Sequence, residues 1–137
     1  MMNKKSKYRL RINSTIIGYA EEMEDGVFLK GNSVEQAWFN LKEYNKIDQF
    51  VGIQDKFHRD IYENDLVNYR LNASSPMRKG VVLQSKTLDT FGILDLESRH
   101  FTHLFVDGIC LFQSEKMEIY SHLFNFPELE ETLKESL

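Results

Sequence analysis

Four histidines, one cysteine and a scatter of acidic pairs are the side chains of this 137-residue sequence that could do chemistry. His100 and His103 would share a face in a helix, but in a strand their three-residue offset points them apart, and no glutamate completes a zinc-protease arrangement. Surface histidines flanking a buried Phe101 are the simpler reading. His58 falls in a turn and His122 in the last strand, neither with an assignable partner. Cys110 lies between Ile109 and Leu111, without the electropositive setting that activates a thiolate, and reads as a structural thiol. Carboxylate pairs such as Glu63 with Asp65, or Asp89 with Asp95, are common on turns and imply no acid–base work without a cleft. The seven glycines never cluster into a phosphate-cradling loop. No catalytic residue, metal ligand or cofactor is assigned, and a non-enzyme is expected.

The elements that must position these residues come from a composition of 42% hydrophobic and 28% charged residues, enough for one compact core. No run approaches the roughly 18 apolar residues a bilayer span needs, and no apolar signal core follows the basic start, so a soluble, cytoplasmic chain without a membrane partner is expected. A net charge of −4 argues against indiscriminate binding to polyanions. Even so, Lys4, Lys5, Lys7, Arg9 and Arg11 precede any acidic residue, and with Tyr8 they are the candidate nucleic-acid contacts, a disfavoured second reading.

Tyr8, Leu10 and Ile12 alternate with Arg9 and Arg11, the period of a half-buried strand with its cations facing water. Thr15 to Tyr19 and Val27 to Leu29, joined through an Asp25-Gly26 turn, complete a three-stranded meander. Ser33 and Gln36 form a capping box, and Val34, Ala37, Trp38, Leu41 and Tyr44 follow at helical spacing, which predicts a helix. After Asn45, strand signals recur at Phe50–Ile53, Leu66–Leu71, Gly80–Leu83, Phe91–Leu96, Ile109–Phe112 and Met117–Leu123, the pattern of a small antiparallel barrel or strongly bent sheet. Asn72 to Pro76 reads as a loop tip. Pro127, the glutamates after it, and Leu129, Leu133 and Leu137 predict a C-terminal helix, with Asn125 the nearest residue able to cap it.

The most distinctive segment runs from Phe50 to Val67. Gly52, Asp55, Lys56, Ile61, Tyr62, Glu63, Asp65 and Val67 match the signature of the YopX family of phage and prophage proteins, which this segment resembles; Ile119 through Pro127-Glu128-Leu129 is similar to that family's closing strand and asparagine-proline-glutamate-leucine. Phe57-His58 replaces the family's asparagine-glycine, Asn64 a glycine, and Phe126 the capping asparagine. Physically the signature reads as scaffolding: Gly52 bends the chain, Asp55 to His58 turn, Ile61 and Tyr62 return to the core, and Asp65 accepts backbone N–H groups in the turn before a strand. Turn-Asp-aliphatic-Val sequences launch the first strand of SH3-like barrels.

The expected architecture is therefore α+β, mainly antiparallel β: an N-terminal meander and helix over residues 1–49, then a YopX-like, SH3-like barrel with a short C-terminal helix over residues 50–137. The resemblance implies a phage or prophage accessory protein without an established activity. The density of apolar residues from Phe101 to Phe126 adds the expectation of a self-assembling or protein-binding module, a homo-oligomer or one with a host or phage protein partner.

Overall fold

The computed structural model describes residues 6–23, 26–31, 43–85, 87 and 90–136, and the chain divides into two compact units, Met1–Phe50 and Val51–Leu137. The fold is mainly antiparallel β, with one α-helix among the described residues. The helix read from Val34 falls mostly on residues 32–42, outside the described residues, as does the turn residue Asp25.

In the first unit, β1 (Ser6–Ile12), β2 (Thr15–Met23) and β3 (Gly26–Gly31) form the meander, and β4 (Lys46–Gln54) pairs with the other edge of β1, giving the order β3-β2-β1-β4. The two-residue turn at Asn13-Ser14 places Asn13 at φ 54, a conformation Asn tolerates better than most residues. Among the described residues of this unit, Leu10, Ile17 and Ala20 form a small buried cluster. One expectation is overturned here. Arg9 and Arg11 do not face water: they are 2% and 6% exposed, because the register with β4 sets Asp48 opposite Arg9.

In the second unit, which takes up β4 from Val51 onward, β5 (Asp60–Tyr62) lies beside β4. The main sheet is built from β6 (Asp65–Tyr69), β7 (Arg78–Gln84), β8 (Phe91–Asp95), β9 (Phe101–His103) and β12 (Met117–His122), in the order β12-β6-β7-β8-β9. The sheet is open and does not close into a barrel. Between β9 and β12, β10 (Phe105–Val106) and β11 (Ile109–Cys110) form a separate two-stranded hairpin.

Alternation explains why the central strands read as unbroken apolar runs. Val67, Val82 and Ile93 pack on one face with Val51, Ile61, Tyr69, Leu104, Phe112 and Met117, whereas Leu66, Val81, Leu83 and Leu94 pack on the other with Leu123 and Leu133. The second layer comes from α1 (Pro127–Ser136), whose Leu133 is buried and Leu129 half-buried. Gly92 is required by close approach: a Cβ there would lie 2.5 Å from both the Phe101 ring and the Thr102 carbonyl oxygen.

Candidate functional site

Among the described residues, four buried aspartates organise the polar interior. Asp48 receives Arg9 Nε at 2.8 Å and Arg11 Nε and Nη2 at 2.8 and 2.9 Å. Two of the five candidate phosphate contacts are thus drawn onto a carboxylate. Lys7 lies 5.1 Å from the Phe50 ring centroid, and Lys4 and Lys5 fall outside the described residues.

Asp55 closes the signature turn. Its Oδ1 accepts the N–H groups of Phe57 and Arg59, both at 3.0 Å, and its Oδ2 accepts Arg59 Nε and Nη2 at 2.9 and 2.7 Å and the Ile119 N–H at 3.1 Å. Burial alone would raise its pKa, but the Arg59 side chain and the three backbone donors outweigh that and hold it below the usual carboxylate value. Lys56 follows directly, its backbone N–H bonded to the Met117 carbonyl and its Nζ 3.1 Å from Glu118. His58 sits at φ 63.

Asp65, fully buried, accepts the Tyr62 N–H at 2.8 Å, the turn role read for it, and its other oxygen lies 2.8 Å from His122 Nδ1. His122 is the partner that sequence reasoning missed; the β6–β12 register sets Asp65 opposite it, a pairing of residues 57 positions apart. Its ring stacks on Phe124, with centroids 5.0 Å apart. Glu63 is half-buried, and Ile61 and Val67 lie in the core at 0% exposure.

Asp95 braces a second turn by the same device, accepting the Glu97 and Ser98 N–H groups, Arg78 Nε at 2.7 Å and the Tyr69 hydroxyl at 2.7 Å. Burial raises its pKa, and these donors, Arg78 first, pull it far below the carboxylate range. Tyr69 is pushed up to about 12 by burial and by its bond to Asp95. Asp55 and Asp65 are thus both buried and both accept main-chain N–H groups.

Among the described residues no three His, Cys, Asp or Glu side chains gather as a metal site. His100 is exposed, while His103 is half-buried with Nδ1 3.1 Å from Thr90 Oγ1. Half-buried Cys110 donates its thiol to the Phe112 carbonyl.

In the β10–β11 hairpin, Phe105 pairs with Cys110 and Val106 with Ile109, across a turn whose Asp107 and Gly108 both have positive φ. Phe105, Val106, Ile109 and the adjoining Leu111 are 40–67% exposed. The Asp-Gly pair between apolar pairs was the available hairpin signal. Leu104, Phe112, Leu123 and Phe124 from the same apolar stretch fill the interior instead. Elsewhere in this unit, a cleft of 330 Å³ opens beside Lys56, Asn68 and Arg70.

No family model and no curated protein match this chain. Among solved structures, it is similar to a crystal structure of protein EF1440 from Enterococcus faecalis, at 16% identity and a TM-score of 0.37, over 94% of this chain and 99% of that one. No helix among the described residues is long and apolar enough to cross a membrane.

Proposed function

We propose that this chain is a non-enzymatic, YopX-like accessory protein of a phage or prophage, working in the cytoplasm as a self-assembling module whose second unit has SH3-like topology. The observation that carries self-assembly is the β10–β11 hairpin. Its exposed side chains are apolar, Asp107 is its only charged residue, and neither lysine nor proline blunts its edges. A second copy of the same patch is the matching occupant, because a two-fold contact sets like against like and leaves the single charge at the turn.

Several features support the finer readings. The return of β12 beside β6, preceded by the 3-10 turn Ser114–Lys116, supports the SH3-like reading. His58 and Asn64, at φ 63 and 75, stand where the YopX pattern has glycine, and Gly52 is at φ 99. The family's glycine positions thus keep a left-handed backbone here. The bracing of Asp48, Asp55, Asp65 and Asp95 supports the non-enzymatic reading, since each carboxylate holds a turn or a strand pair.

Light scattering over a concentration series tests self-assembly. The expected mass exceeds that of one chain at micromolar concentrations, and Ile109→Asp returns it to one chain by placing a charge in the contact. A strict monomer at millimolar concentration overturns the proposal.

A further inference from the structure

The cleft in the second unit is framed by three braced segments: the Asp55 turn, the loop from Arg70 to Met77, and the 3-10 turn Ser114–Lys116. At 330 Å³ it falls within the range of small ligand sites, which begins at roughly 300 Å³. Its rims are held before any ligand arrives. The Asn72 side chain accepts the N–H and hydroxyl of Ser74, and Ser75 bonds back to Asn72. The Arg70 N–H reaches the Lys116 carbonyl, and the Lys56 N–H the Met117 carbonyl.

Charge within the cleft is unevenly matched. Lys56 pairs with Glu118, and Lys116 bonds Gln113 and lies 4.0 Å from Glu115. Arg70 and Asn68 are both half-buried, and neither side chain has a hydrogen-bond or ion-pair partner among the described residues. Asn68 lies in β6 and Arg70 one residue past its end, and both line the cleft. A guanidinium partly withdrawn from water is best satisfied by a planar carboxylate that takes two N–H groups at once. A primary amide can both donate to and accept from a peptide group. Met77, half-exposed at the rim, supplies a flexible apolar wall for a short aliphatic stem.

We propose that this cleft captures an acidic side chain, glutamate or aspartate, of an extended partner polypeptide. Arg70 binds the carboxylate, Asn68 the adjoining peptide group, and Met77 covers the methylene stem. Three cations and two carboxylates line the cleft, a balance that suits one negative charge. Over residues 51–137 acidic side chains outnumber basic ones fourteen to nine, which repels a polyanion.

The site shares no residue with the β10–β11 hairpin, so its test stands apart from the measurement of mass. The isotopically labelled full chain is titrated by NMR with a capped alanine-glutamate-alanine tripeptide, its glutamine counterpart, inorganic phosphate and an oligothymidine. The glutamate peptide is expected to shift the Asn68 side-chain amide, the Arg70 Nε–H and the Lys116 amide. Losing a charge-assisted hydrogen bond should weaken binding about tenfold or more, both for the glutamine peptide and for Arg70→Gln. Ala73→Trp, which fills the cleft and leaves the charges in place, should block binding as well. Absence of shifts at these positions, equal binding of the glutamine peptide, or stronger binding of phosphate or the oligonucleotide each overturns the proposal.

Discussion

Five N–H groups meet the Asp55 carboxylate, three from the backbone and two from Arg59, and the carboxylate itself is sealed from water. Removing it strands the Phe57, Arg59 and Ile119 N–H donors and releases the Arg59 side chain, which is 49% exposed and can recover its own hydration. The cost is therefore set by the backbone donors. Asp55→Ala is expected to lower unfolding free energy by about 3 kcal/mol, at orphaned-donor costs of about 1–3 kcal/mol each. Urea denaturation checks this, and a loss below about 1 kcal/mol would show that the turn holds without its clasp. The type and place of this residue were legible from sequence, because Asp followed by a tight turn has few other uses. Its distant donor, Ile119, was not legible, nor was the Asp48 partner of Arg9 and Arg11. Alternation places a side chain on one face of a strand but says nothing of a carboxylate that a later strand brings to that face.

Elements were readable wherever burial on both faces made a strand continuously apolar, as at Val81-Val82-Leu83 and Ile93-Leu94. They were less readable where strands are only two or three residues long. β5, β9 and β10 carry too few residues to show a period, although Asp107-Gly108 marked the hairpin turn. At the C-terminal helix, pattern and structure agree on Pro127, but Asn125 does not serve as the cap. The Phe126 carbonyl accepts the Glu130 N–H, so Phe126 occupies the capping position with no side-chain oxygen to offer. Its ring is 45% exposed and contributes little burial. Phe126→Asn should therefore raise stability, by about 0.5–2 kcal/mol on the scale of cap substitutions. A shift of the thermal midpoint to higher temperature checks it; an unchanged or lower midpoint would mean that the ring packs more usefully than its exposure implies.

Across the whole molecule these braces set opposite limits on stability. Asp55 and Asp95 are held below their ordinary value of 3.8, so their stabilisation is complete above that pH and is lost as pH falls toward their folded values. Tyr69 has the reverse sign. Its hydroxyl titrates near 10 when unfolded and about 12 when folded, so its contribution is complete below pH 10 and disappears as pH rises through 12. Both limbs meet at one cluster, because the Tyr69 hydroxyl donates to the same Asp95 oxygen that receives Arg78. Ionising Tyr69 sets a second negative charge against Asp95 and removes the donated hydrogen bond. Urea midpoints measured from pH 3 to 12 should form a plateau from about pH 5 to 9 with a fall on each side. Tyr69→Phe should lower the plateau, since Asp95 loses a donor, while flattening the decline between pH 10 and 12; lysine deprotonation is common to both proteins, so the difference isolates the phenol. If the two proteins lose stability in parallel above pH 10, the Tyr69–Asp95 bond does not set the alkaline limit.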